Sequence, residues 1–155
     1  MAMKFSNTGS SSIWMSIARI AVGVMFLFFA QYKLIHPDFA HGGYEKYVHG
    51  YIDHTAVGFY KPFLNMTLQH PVLSGYAVGV AELLIGLSMV LGLWVRVFSV
   101  VGALFMLNLA LCTWQLPADS PAWRYLGNQL GNIPLLLLFV VFIAHRAGQT
   151  LGLDK

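Results

Sequence analysis

The sequence predicts an all-α membrane protein, a four-transmembrane-helix bundle with an amphipathic surface helix in the first connection. Of its 155 residues, 57% are hydrophobic and only 10% are charged, whereas about a quarter are charged in a typical soluble domain. Four apolar segments, each long enough to cross a hydrocarbon core about 30 Å thick, lie at residues 13–33, 74–95, 97–114 and 126–145. We therefore expect a single membrane domain over residues 1–155.

The first apolar segment is expected to be a retained helix and not a cleaved secretory signal. Lys4 is the only charge ahead of it. Phe28 occupies the place where a cut after Ala30 would require a small residue.

The basic residues indicate membrane topology and not a nucleic-acid partner. The nine Lys and Arg exceed the six Asp and Glu, but they are scattered singly and form no basic run. Four spans place both termini on one side of the membrane, and four Lys or Arg fall on each side. Arg19 lies inside the first span, nearer the side of the termini, so the positive-inside rule favours cytoplasmic termini.

The first connection, residues 35–71, contains a helical pattern of its own. Apolar or aromatic residues recur at helical spacing at Tyr44, Tyr47, Val48, Tyr51 and Ile52. The other face carries Glu45, Lys46, His49 and Asp53. This pattern predicts an amphipathic helix over residues 44–52 that lies at the bilayer surface and caps the bundle on the side opposite the termini.

Three polar side chains are predicted to share a layer near the middle of the membrane. At about 1.5 Å of rise per residue, Glu82 lies roughly 18 to 20 Å from the side of the termini, Asn108 roughly 16 Å and Asn132 roughly 19 Å. Arg19 lies at only about 9 Å, so a direct pair with Glu82 requires tilted helices. The layer could be a proton-handling or quinone-contacting site, or hydrogen bonds that only fix helix packing.

Glycine and proline mark where the helices are expected to approach or bend. Gly75 with Gly79, and Gly127 with Gly131, have the GxxxG spacing that permits close helix contact. Pro134 cannot donate a backbone hydrogen bond, so it is expected to bend the fourth helix beside the polar layer. A tight turn is expected at Arg96.

The histidines and the single cysteine do not form a metal-binding or redox motif. The first connection holds five of the six histidines, namely His36, His41, His49, His54 and His70, and none has the i, i+4 spacing of a helical metal site. We expect interfacial residues there and no metal site. Cys112 has no second cysteine with which to form a disulfide.

Three motifs resemble the DoxX/DoxD family of small bacterial four-helix membrane proteins. The first span, ARIAVGVMFLFFAQYKLIHP, contains Arg19 and Lys33, and the second, AELLIGLSMVLGLWVR, contains Glu82 and Arg96. The ending AGQTLGLD is similar to the Gly-rich ending of the family. The longer His- and Tyr-rich first connection departs from the family pattern.

The resemblance implies a multi-pass protein of the bacterial inner membrane. It also suggests a redox role, because some members of the family are the membrane subunit of a thiosulfate:quinone oxidoreductase. The first hypothesis is thus a quinone-linked subunit whose partner subunits supply the redox centre. Glu82 and Arg19 are then the catalytic candidates, and the quinone-binding candidates are Glu82, Asn108, Asn132 and Lys33. The alternative is a non-catalytic anchor or assembly subunit. A transporter is disfavoured, because paired discontinuous helices are not evident.

Overall fold

The computed structural model describes residues 8–115, 121–145, 147–148 and 151–153, and these residues contain no β-strand. Their helices are α1 Thr8–Ile35, α2 Tyr44–His54, α3 Lys61–Thr67, α4 Pro71–Leu91, α5 Val95–Thr113, α6 Ala122–Gly127 and α7 Ile133–Ala144. A distorted π-helical turn, Phe39–Gly43, precedes α2, and a 3-10 turn, Gly58–Tyr60, precedes α3. The all-α class is therefore confirmed for this part of the chain.

Three helices are long and apolar enough to cross a membrane, at Ile13–Ile35, Pro71–Leu91 and Val95–Thr113. The fourth span expected at residues 126–145 is not confirmed, because α6 ends at Gly127 and α7 has only 12 residues. Pro134 lies in the first turn of α7, where its missing N–H costs little. This proline therefore starts a helix instead of bending one.

Helices α1 and α4 pack antiparallel along a seam of glycines. A Cβ added at Gly23 would lie 2.8 Å from the backbone nitrogen of Val90, and one added at Gly86 would lie 2.8 Å from Leu27. Gly79 and Gly75 continue the seam against Leu34 and Ala40, so the close approach predicted for this glycine pair is confirmed. A Cβ added at Gly127 or Gly131 meets no atom of the described residues within 4 Å, so the predicted close contact is not found in this part of the chain.

Helix α7 packs beside α5 and completes an apolar core between the long helices. The ring of Phe139 fills the space beside Gly102 of α5, with ring atoms as close as 2.5 Å to an added Cβ. Phe26 of α1 meets Phe139 edge to face, with ring centroids 5.6 Å apart. The rest of this core is Val22, Ile85, Met89, Val95, Met106, Phe142 and Ala147.

The tight turn between α4 and α5 lies at residues 92–94, and the turn expected at Arg96 is wrong. Gly92 and Trp94 have φ of 67° and 52°, which end α4 and allow α5 to begin at Val95. Arg96 therefore belongs to the first turn of α5. The chain after α7 returns to the same turn, where the Leu153 amide donates to the Leu91 carbonyl at 3.2 Å.

The predicted helix over residues 44–52 is confirmed, and it forms part of a cap over the opposite end of the bundle. Tyr44 and Val48 of α2 are buried, in a second core with Phe39, Leu64 and Cys112. The segment after α2 binds the free carbonyls at the end of α5. Thr55 Oγ1 donates to the Leu111 carbonyl at 2.7 Å, and the Ala56 amide to that of Trp114 at 2.8 Å.

The charges that favour cytoplasmic termini lie largely outside the described residues. These are Lys4, Arg146 and Lys155.

Candidate functional site

The candidate site is an ion pair between α1 and α4. Lys33 Nζ donates to Glu82 Oε1, and Glu82 is only 4% exposed. The Lys33 side chain is 17% exposed, and its ammonium lies 5.2 Å from the centroid of the Phe39 ring. The second carboxylate oxygen, Oε2, is buried and has no hydrogen-bond partner within the described residues. A charged donor and a spare acceptor thus lie side by side in a largely apolar setting.

The directions of the two helices explain why these residues meet. Side chains lean toward the N-terminus of their own helix, so in an antiparallel pair Lys33 leans toward the middle of the bundle and Glu82 leans toward Lys33. Gly79, one turn from Glu82, lets α1 approach so closely that an added Cβ would lie 3.3 Å from Lys33 Cβ. The leaning rule makes Lys33 a possible partner of Glu82, but only the packing of α1 on α4 turns the two side chains toward each other.

The predicted layer of Glu82, Asn108 and Asn132 is not assembled. Asn108 Oδ1 accepts a hydrogen bond from the Tyr60 hydroxyl. Asn132 immediately precedes α7, where its Nδ2 donates to Thr113 Oγ1 at 2.9 Å, at the end of α5. Asn132 therefore lies near the cap end and not at mid-span, because the helix assumed for residues 126–145 is interrupted before it.

Arg19 lies at the other end of the bundle from the ion pair. Its buried guanidinium donates from Nη2 to the Leu151 carbonyl at 2.8 Å. Nη1 lies 2.3 Å from the position of an added Cβ at Gly92, and Gly152 Cα lies 2.4 Å from that position. Arg19 thus binds the chain after α7 to the α4–α5 turn, a role that sequence reasoning missed because the distant tail is its partner.

A second polar cluster lies under the cap. It consists of Tyr60, Asn108 and Cys112, with the Cys112 thiol 4.0 Å from Asn108 Oδ1. The ring centroids of Tyr60 and Phe63 are 5.1 Å apart. Burial, with a smaller contribution from Cys112, raises the pKa of Tyr60 to about 12, and burial also raises the pKa of Tyr51.

The raised pKa of Tyr60 predicts a loss of stability in alkali. A phenol that ionises near pH 10 in the unfolded chain and near pH 12 in the folded one favours folding below pH 10, and that contribution is lost between pH 10 and pH 12. We expect Tyr60→Phe to flatten this part of the pH profile of detergent-solubilised protein, measured by thermal unfolding. Tyr32→Phe, at an exposed position of α1, is the control. Parallel profiles for the wild type and Tyr60→Phe would contradict the prediction.

The histidines mostly contact their own helices or turns. His41, His54 and His145 each place Nδ1 within 3.1 Å of the carbonyl four residues earlier. His49 lies 3.7 Å from Glu45. Within the part of the chain that the structure describes, no three His, Cys, Asp or Glu side chains are grouped as metal ligands.

A shallow groove of about 490 Å³ lies where α3 turns into α4. Its lining residues are Gln69, His70, Pro71, Val72, Leu73 and Tyr76, so it does not border the Lys33–Glu82 pair. The geometry of the buried pair, and not this groove, defines the candidate site.

Comparison with protein families gives a match to the DoxX model over residues 14–114. The chain belongs to the DoxX family. The matched region of this DoxX protein contains Arg19, Lys33, Glu82 and Arg96 and stops before α6, α7 and the C-terminal motif. Comparison with curated proteins gave no match, and comparison with solved structures gave none either.

Proposed function

We propose that this DoxX protein is the membrane subunit of a quinone-linked redox complex, with Lys33 and Glu82 in contact with the quinone. The observation that carries the proposal is the buried carboxylate, which has one oxygen paired with Lys33 and one oxygen without a partner in the described residues. Ionisable groups inside a membrane span are costly and mark pathways for protons or polar ligands. The pair therefore goes beyond what helix packing alone requires.

A quinone head group fits the chemistry of these residues. A quinone has carbonyl oxygens that accept hydrogen bonds and a flat ring, and the Lys33 ammonium and the neighbouring Phe39 ring complement these features. Glu82 Oε2 supplies a buried position at which a proton can be held. When bound, the quinone supplies two-electron chemistry, while a partner subunit supplies the redox centre that side chains cannot provide. The protein's part is to bind the head group and hold the proton.

The proposal assigns different roles to the other candidates. Asn108, bonded to Tyr60, holds the cap on α5, and Asn132 holds the start of α7 against Thr113. Arg19 positions the chain after α7 through Leu151. Lys33 and Glu82 remain as the residues proposed to contact the quinone.

The proposed topology has four membrane crossings in one domain over residues 1–155. Asn132, just before α7, binds Thr113, the last residue of α5. Ala147, just after α7, belongs to the same core as Val95, the first residue of α5. The described residues between 132 and 147 thus accompany α5 along its length, which supports a fourth crossing in spite of the short helix. We place the protein in the bacterial inner membrane with cytoplasmic termini.

The test is co-purification of quinone with the complex from native membranes in mild detergent. We expect wild-type complexes to retain quinone, detected by mass spectrometry of extracted lipids. Glu82→Gln and Lys33→Gln should each lower the retained amount about tenfold, because a charge-assisted hydrogen bond contributes about 1.5 to 3 kcal/mol and 1.4 kcal/mol is tenfold in affinity. Glu45→Gln, at an exposed position of α2, is the matched control and should retain quinone.

The alternative function is a non-catalytic anchor or assembly subunit, in which the ion pair only joins α1 to α4. Glu82→Gln in an assembled complex with full quinone-linked activity would favour this alternative, particularly if Glu82→Ala lowers assembly. A transporter remains disfavoured, since transporter sites use paired discontinuous helices and the described residues contain one interrupted segment, before α7.

A further inference from the structure

The cap presents two outward surfaces of opposite character. The outward surface of α2 is mostly polar, with Glu45, Lys46, His49 and Asp53 all exposed beside one aromatic residue, Tyr47, which is 57% exposed. The outward surface of α3 and the turn before it is apolar. There Phe59 is 80% exposed, Met66 57% and Phe63 43%. The two short helices of one cap therefore expose surfaces of different polarity.

The three apolar residues lie on one side of the chain. Positions 59, 63 and 66 follow the i, i+4, i+7 spacing of a single helical face. Leu64 lies on the opposite face, buried in the core beneath the cap with Tyr44. Phe59 and Phe63 contact the Tyr60 ring on one side, yet all three residues of the outward row stay more than 40% exposed.

The charges and the continuity of this surface point to lipid. No Asp or Glu occurs between Asp53 and Glu82, and Lys61 is the only Lys or Arg in that interval. Three residues separate α3 from α4, and Leu73 of α4 begins a row of exposed apolar residues that continues along the candidate span. The apolar face of α3 therefore continues the exposed apolar row of α4, and with no acidic residue and a single lysine it carries little charge that would oppose insertion into lipid.

We propose that α3 and the preceding turn lie in the membrane interface, with Phe59, Phe63 and Met66 inserted among the acyl chains. An amphipathic segment of this kind buries its apolar face about 5 to 10 Å into the boundary between head groups and acyl chains. Helix α2 faces water, and it is α3, not the segment at residues 44–52, that lies in the bilayer surface. This proposal does not depend on quinone binding.

Site-directed spin labelling tests the proposal, because the chain has a single native cysteine. In a Cys112→Ala background, Phe63→Cys or Met66→Cys receives a nitroxide, and Lys46→Cys or His49→Cys provides the matched position on α2. The proteins are reconstituted in vesicles of phosphatidylethanolamine and phosphatidylglycerol. We expect collisions with oxygen to dominate at 63 and 66, and collisions with a water-soluble nickel complex to dominate at 46 and 49.

Nickel collisions at 63 and 66 as frequent as those at 46 would overturn the proposal and leave the face open to water or to a protein partner. An independent measurement uses the unmodified chain in the same vesicles, in case the variants fold poorly. A lipophilic carbene generated by light should label the peptide that contains Phe59, Phe63 and Met66 several-fold more than the peptide from α2. Equal labelling of the two peptides would also overturn it.

Discussion

Replacing Lys33 with Met should lower the free energy of unfolding of the detergent-solubilised protein by about 3 kcal/mol. Removal of one member of a buried ion pair costs about 3 to 5 kcal/mol, because it leaves the other charge without compensation. We expect the lower end of that range, since the Lys33 side chain is 17% exposed and water can reach it. The measurement is unfolding in mixed micelles, followed by circular dichroism.

Two further variants separate the lost pair from the lost lysine. Lys61→Met removes a half-buried lysine that forms no ion pair within the described residues, so we expect little change. The double variant Lys33→Met with Glu82→Gln removes both charges and should recover much of the loss, because no isolated carboxylate remains. If Lys33→Met unfolds like Lys61→Met, the pair between α1 and α4 does not contribute to stability.

The second large effect is expected for Gly23→Ala in α1. The new Cβ would lie 2.8 Å from both Met89 Cβ and the Val90 backbone nitrogen of α4. Backbone cannot move aside as a flexible side chain can, so the two helices must separate along their seam. Overpacking of this kind costs about 1 to 3 kcal/mol, and thermal unfolding in detergent measures it.

Gly127→Ala is the matched control. An added Cβ there meets none of the described residues within 4 Å, and alanine is the better helix former in α6. We therefore expect unchanged or slightly increased stability. Both substitutions add the same methyl group to a glycine. If Gly127→Ala lowered the stability as much as Gly23→Ala, the loss at Gly23 would not come from contact between α1 and α4.

The four residues that match the family pattern, Arg19, Lys33, Glu82 and Arg96, have different structural roles. Lys33 and Glu82, far apart in sequence, pair across α1 and α4. Arg19 binds the Leu151 carbonyl near the opposite end, and Arg96 is exposed in the first turn of α5. The motif identifies which residues to examine, but their partners follow from the packing of the helices.

Composition and periodicity were sufficient to predict the all-α class, three of the four expected apolar spans and the amphipathic helix over residues 44–52, because these depend on local properties of each segment. The sequence also placed Glu82 away from lipid, since the cost of an exposed carboxylate in hydrocarbon does not depend on which neighbour satisfies it. Such inferences need only the residues of one segment and the solvent around it.

Tertiary structure alone decided which polar groups meet. Residue counts give the depth of a side chain only along a continuous helix. Because the helix is interrupted before Ile133, Asn132 does not lie in its expected layer. Lys33 reaches Glu82 because the glycine seam sets both the rotation and the separation of α1 and α4. Arg19 binds a segment 132 residues away along the chain. Such contacts depend on helix rotation and on returning segments, which the periodicity of a single segment does not determine.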